Sequence, residues 1–224
     1  MSALLKAKEP FQFYTRLHLS ELTGLKAANI ADLLTLLKQV PGSCIYHHTH
    51  RFLQQHQYLS PEPPNDFAYW VAQVLGEDEL GEKLASIDTM QFSNIHGLRQ
   101  EIIKTVEGHL KKSREAARRS AYPGEEFYFI KTVSFIIPTE YIAHDLADFV
   151  GILHKVTLDS IYFHIFEARL RLEKKSNDFS NWIETSLGDQ ALAEEISRLD
   201  PYTRTLEDLR AVLIRIVDRR LFAP

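Results

Sequence analysis

Ile45-Tyr46-His47-His48, then Asn65-Asp66-Phe67-Ala68-Tyr69-Trp70, then Leu75-Gly76: these words return later in the chain in the same order. The second occurrence reads Ile161-Tyr162-Phe163-His164, Asn177-Asp178-Phe179-Ser180-Asn181-Trp182 and Leu187-Gly188. Ordered recurrence at nearly fixed spacing is the signature of a tandem duplication. The match extends outward. Phe11 and Phe13 align with Phe127 and Phe129, Ala31-Asp32 with Ala147-Asp148, Leu37 and Val40 with Leu153 and Val156, and Leu80 with Leu192. Each copy thus serves as a control for the other: positions kept in both mark architecture, and positions that differ mark specialisation.

The pattern predicts a mainly α fold of two tandem, pseudo-twofold-related small helical units, each with a short N-terminal strand or extended segment. Unit boundaries are expected at 11–110 and 127–222, joined by a basic linker at 111–126. Phe127 to Val133 alternates and is rich in aromatic and β-branched residues, which suits a strand. Pro138-Thr139-Glu140 is expected to open a helix with Thr139 as N-cap. The two extended segments, near Phe11–Leu17 and Phe127–Val133, are expected to pair with one another. Asn65 and Asn177 stand where N-caps belong, each followed by an acid that suits the positive helix end. Gly76 and Gly188 fit the position just past a helix C-terminus.

Composition narrows the class. With 224 residues, 45% hydrophobic and a net charge of −4, the chain is ordinary for a globular protein. Its charge argues against coating nucleic acid or an anionic membrane. The single cysteine, Cys44, excludes an intrachain disulfide, and its counterpart Ser160 suggests a small buried side chain. No apolar run is long enough to span a bilayer and the first ten residues lack a signal-peptide core, so the expected location is cytoplasmic.

No Gly-rich phosphate loop, Rossmann fingerprint, nucleophile elbow or paired Cys occurs. Ala143-His144-Asp145 contains a His-Asp dipeptide but has no counterpart in the first copy. The remaining chemistry is histidine. His48 matches His164, and in both copies an acid (Asp66, Asp178) begins the next helix, so a buried His–Asp hydrogen bond tying two helices together is expected. His47 and His50 match Phe163 and Phe166 instead. Three residues apart, they share a helix face and could converge on one ligand, metal or phosphate; the alternative is a face that is buried in the second copy and exposed in the first. A divalent-metal set would comprise His47, His50, His56 and Asp66. A ligand-binding set would comprise His47, His48, His50, Arg51 and His164.

Ile45-Tyr46-His47-His48-Thr49-His50-Arg51-Phe52 followed by Pro63-Pro64-Asn65-Asp66-Phe67 resembles an uncharacterised bacterial family, a domain of unknown function. Tyr162-x-His164 with Asn177-Asp178-Phe179-x-x-Trp182 is similar to a shorter module seen in bacterial and archaeal proteins. The resemblance spans about Phe11 to Leu221 and implies no activity and no catalytic residue. Phe163, standing where the first copy has His47, argues against two identical active sites. The functional expectation is a non-catalytic cytoplasmic binding or regulatory module with a protein or small-molecule partner and scope for a homodimer. The competing expectation is a metal-dependent, hydrolase-type enzyme built on His47, His48, His50 and His56.

Overall fold

The computed structural model describes residues 6–51, 65–113, 115–168, 176–199 and 205–222. Its elements are strand β1 (Phe11–Ala27) and helices α1 (Ile30–Gln39), α2 (Gly42–Tyr46), α3 (Asp66–Gln73), α4 (Asp78–Ala85) and α5 (Ile95–Lys112). Strand β2 (Phe127–Ala143) follows, then α6 (Leu146–Leu153), α7 (Leu158–Tyr162), α8 (Asp178–Trp182), α9 (Gln190–Ser197) and α10 (Leu206–Leu221). Helices α2, α7 and α8 each run on into a π-helical turn, at His47–Arg51, Phe163–Glu167 and Ile183–Leu187.

The mainly α expectation is overturned: the fold is α/β. Each strand is 17 residues long, and the two form a two-stranded sheet. Gln12 Nε2 donates to Thr139 O at 2.8 Å, Lys131 pairs with Glu21 at 2.9 Å, and Thr23 Oγ1 donates to Phe129 O at 2.7 Å. Numbers rise along β1 as they fall along β2, so the pairing is antiparallel. The register also differs from expectation, since Phe11–Leu17 lies against the end of β2 and Phe127–Val133 against the end of β1. Pro138-Thr139-Glu140 lies within β2 rather than opening a helix. The run Thr132-Val133-Ser134-Phe135-Ile136-Ile137 favours extended backbone, and a proline is tolerated on the outer edge of a sheet. Thr139 Oγ1 is spent on Phe13 O, at 2.8 Å. The helix begins only at Leu146, with Asp145 accepting from the Asp148 N–H at 2.8 Å as N-cap.

The chain divides into two compact units, and their boundaries cut through the strands. One unit is His18–Val133; the other joins the chain up to Leu17 to the chain from Ser134. The divisions expected at 11–110 and 127–222 are therefore not those of the compact units. Each strand gives one half to each unit.

In the His18–Val133 unit, α1 to α5 bury Ile30, Leu33, Leu37, Ile45, Trp70, Leu80, Leu84 and Val106 around Phe127 and Phe129. Asn29 caps α1 and Asn65 caps α3, each accepting from the N–H three residues on at 2.8 Å. Gly81 lets α4 lie close on α3, because a Cβ there would stand 2.7 Å from Ala72 Cβ. In the other unit, α6 to α10 bury Phe149, Leu153, Ile161, Trp182, Ile196, Leu209 and Leu213 around Phe11 and Phe13. Asn177 caps α8, and Gly188 ends the following π turn with φ 71°, a left-handed conformation that glycine adopts without strain.

Candidate functional site

The turn after α2 carries His48 into the core of its unit, where its side chain is almost wholly enclosed. His48 Nδ1 lies 2.6 Å from Asp66 Oδ2, and Nε2 lies 2.9 Å from the Ile130 backbone N. A backbone N–H can only donate, so Nε2 accepts, and Nδ1 must carry the ring proton and donate to Asp66. Phe67, Phe127 and Phe129 surround the ring, with centroids 5.5, 4.7 and 5.9 Å away. The turn after α7 repeats this arrangement in the other unit. His164 Nδ1 lies 2.8 Å from Asp178 Oδ2, Nε2 accepts from the Tyr14 N–H at 2.8 Å, and Phe11, Phe13 and Phe179 surround the ring.

The expected helix-to-helix His–Asp bond is therefore present in each unit, with a second role that the sequence did not show. The imidazole bridges two helices and also holds a strand edge through Nε2. Both ring nitrogens are engaged, so using Nε2 as a general base would mean giving up the strand's hydrogen bond. The same division recurs around the tryptophans. Trp70 Nε1 donates to Glu125 O and Trp182 Nε1 to Glu9 O, each at 2.8 Å, anchoring the residues that lead into each strand. Asn65 Nδ2 donates to Leu84 O at 3.1 Å and Asn177 Nδ2 to Ile196 O at 3.2 Å, joining each capped helix to the next.

The face that differs between the copies is buried in both, not exposed in the first. His47 and His50 are 7% and 4% exposed. His47 Nδ1 lies 2.9 Å from Thr132 Oγ1. Burial, reinforced by the neighbouring His48, holds the His47 pKa down to about 4, so the ring is neutral at pH 7. Thr49 Oγ1 donates its one proton to Ile45 O at 2.7 Å, so it accepts from His50 Nδ1 at 2.9 Å. The His50 ring stacks on Tyr46, with centroids 5.5 Å apart and planes 5° from parallel. His47 thus turns to Thr132, His50 to Thr49, and Asp66 to His48. Arg51 is half-buried on the same turn. His56, the fourth member of the expected metal set, lies outside the described residues. Among the described residues no group of three or more metal-ligating side chains comes together.

In the other unit the corresponding stripe is aromatic and ionic. Phe166 stacks on Tyr162 at 4.3 Å, the Arg16 guanidinium lies 4.5 Å above the Tyr162 ring, and Arg16 pairs with Glu167. Arg16 stands where the first site has Thr132. Neither residue was singled out from sequence, although both follow from extending the Phe11/Phe127 alignment along the strands. The His144-Asp145 dipeptide serves the start of α6: Asp145 is its cap, and the His144 N–H donates to Asp148 Oδ2 at 3.1 Å.

A cleft of about 560 Å³ opens beside His164 and Asp178. Its lining includes Glu9, Gln12, Tyr14, Asn181, Trp182 and Thr185, a floor of aromatic rings rimmed by a carboxylate, amides and hydroxyls. This surface was not legible from sequence, because its residues come from β1 and the residues before it, from β2, and from α8 and the π turns after α7 and α8, far apart in the chain.

The family model for a family of unknown function, DUF5752, matches residues 8–218. The chain belongs to that family. A comparison with curated proteins gives no match. A solved structure described as "The structure of OrfY from Thermoproteus tenax" is similar at 28% identity with a TM-score of 0.80, covering 96% of each chain. A domain of unknown function was expected, and the chain lies in one; membership brings no activity with it. No described helix is long and apolar enough to cross a membrane.

Proposed function

We propose that this DUF5752 protein is a non-catalytic binding or regulatory module of the cytoplasm, that it arose by duplication of one unit, and that its ligand site is the cleft beside His164 and Asp178. One observation carries the reading: His48 and His164, the most enclosed histidines among the described residues, have both ring nitrogens engaged in holding helices and strand, so proton transfer through them would cost the strand a hydrogen bond. The cleft is the complement to that rigidity, with polar groups on its rim above a floor fixed by Phe11 and Trp182. Concave, partly apolar sites with a few convergent polar groups are the usual form of small-molecule sites. Duplication is supported by the matched hydrogen bonds of Trp70 and Trp182, of Asn65 and Asn177, and of His48 and His164. The free, buried Cys44 thiol fits a reducing compartment.

The metal-dependent reading requires His56 to join His47, His50 and Asp66, which contact Thr132, Thr49 and His48 respectively. Two measurements test the proposal. A small-molecule library is screened by thermal shift on the full chain and on Thr185→Trp, which narrows the cleft. Ligands that stabilise the wild type but not the variant support the reading; ligands that stabilise both equally move the site elsewhere. The melt is also recorded with and without a chelator. An unchanged melt is expected, and a chelator-sensitive one would restore the metal reading.

A further inference from the structure

Every residue lining the cleft beside His164 belongs to one compact unit, so its chemistry can be read as a whole. Its floor is aromatic. Phe11 and Trp182 stand 5.5 Å apart with planes 58° from parallel, and Tyr14 and Phe163 stand 6.4 Å apart at 52°. Rings so inclined form walls rather than one flat stack, and aromatic rings attract cations as well as apolar groups.

The hydrogen bonds of the lining sort its polar groups. Gln12 Nε2 lies among three carbonyl oxygens, those of Phe13, Thr139 and Tyr141, at 2.9, 2.8 and 3.2 Å, so the amide has its oxygen left for a ligand. Thr185 Oγ1 donates its one proton to Asn181 O at 2.8 Å and can only accept from a ligand. Trp182 Nε1 already donates to Glu9 O, and both His164 nitrogens are engaged. Because His164 Nε2 accepts, the ring holds a single proton and is neutral, and the His164–Asp178 pair keeps the negative charge of its carboxylate. Glu9 is exposed and brings a second carboxylate, and the lining holds no lysine or arginine. Tyr14, Asn181 and Ser186 can donate or accept. Most of the donors are thus in use, while acceptors and negative charge stand ready.

Taking this cleft as the ligand site, we infer that its ligand is a small protonated amine with an apolar body. The ammonium group is set against the Glu9 and Asp178 carboxylates, and the body against the rings. An ammonium group brings only donors, which matches the acceptors on the lining. Hydrogen bonds between a charged donor and a carboxylate are roughly twice as strong as neutral ones. A carboxylate or phosphate head would instead meet like charge, which rejects it. The cleft's volume of about 560 Å³ lies in the range of small-molecule sites.

The test is calorimetric titration of the full chain with three probes of similar shape: phenethylamine, phenethyl alcohol and hydrocinnamate, whose heads are cationic, neutral and anionic at neutral pH. Phenethylamine should bind about tenfold tighter than the alcohol, and hydrocinnamate more weakly than either. Glu9→Gln keeps the backbone carbonyl that holds Trp182, so it should show the wild-type circular dichroism. It should lose most of the preference for the amine while binding the alcohol unchanged. Thr185→Trp should weaken every probe that binds. Equal affinities for amine and alcohol, both lost in Thr185→Trp, overturn the inference and leave the cleft as the ligand site. A preference for the amine that persists in Thr185→Trp overturns the cleft reading and the inference with it. A wild type that binds no amine overturns the inference alone, as does a folded Glu9→Gln that keeps the full preference.

Discussion

Around His48 and around His164 the same hydrogen bonds close over the same arrangement of phenylalanines. One turn of helix away, however, the two units differ. His47 and His50 pack on Thr132 and Tyr46 in one, whereas Phe163 and Phe166 accompany the Arg16–Glu167 pair in the other. Burial is alike on the two stripes, so the substitutions exchange chemistry within one shape. The shared ring of contacts is what each unit needs in order to fold. The stripe beside it has been free to change, provided that volume and hydrogen bonding are conserved.

The largest effects should come from the shared features and should be similar in the two units. Trp70→Ala and Trp182→Ala each remove a buried indole and its bond to the segment preceding a strand. Each should cost about 3–5 kcal/mol in urea unfolding. A small loss from one of them would show that its unit is not held through the tryptophan.

His48→Leu and His164→Leu come next. Each removes one hydrogen bond to a carboxylate and one to a strand N–H, at about 2–4 kcal/mol. His164→Leu should cost more, because Asp178 is 16% exposed against 29% for Asp66, so the lost hydrogen bond lies in the drier setting. The comparison breaks if the order is reversed in matched melts.

The pH response separates the stripes. His47 is held down to about 4 in the folded chain and stands near 6.5 unfolded, so the unfolded state binds more protons between those values. Stability should therefore fall as pH drops from 6.5 towards 4, by on the order of 2 kcal/mol from this group. His47→Phe, which installs the residue of the other unit, should flatten that limb in chemical melts at pH 7 and pH 4.5. An unaltered limb would mean that His47 is not the group responsible. Below that window Glu126 takes over: Lys26 holds its carboxyl down to about 2, so a further loss follows as pH falls from 4.5.

The smallest effect tests the caps. Asn177 and Ser180 form a reciprocal capping box, with Ser180 Oγ accepting from the Asn177 N–H at 2.9 Å, whereas the matching position in α3 is Ala68. Ser180→Ala should cost about 0.5–1 kcal/mol, and Ala68→Ser should return a few tenths where space allows. Equal and negligible effects would mean that the box adds nothing beyond the Asn cap.

The local grammar was readable in advance. Asn65 and Asn177 cap helices, Gly188 ends one, and His48 and His164 find Asp66 and Asp178. Each of these relations is set by residues close in sequence, through helix geometry and capping chemistry. The mainly α expectation failed at β2, where Pro138-Thr139-Glu140 has the composition of a helix start. The backbone there is extended because β1 offers it hydrogen bonds, which no local pattern reports. The cleft and the roles of Thr132, Arg16, Ile130 and Tyr14 were hidden for the same reason.

What the sequence by itself determined was the recurring order of its residue words and the pairing of each buried histidine with the acid that opens the next helix. What only the tertiary structure decided was which strand serves which core. Phe11 and Phe13 belong by sequence to the first copy, yet they fill the core of the unit containing His164, while Phe127 and Phe129 fill the one around His48. The two strands present the same pair of phenylalanines, so either would suit either core by composition. Chain connectivity and the antiparallel register, both non-local, make the choice.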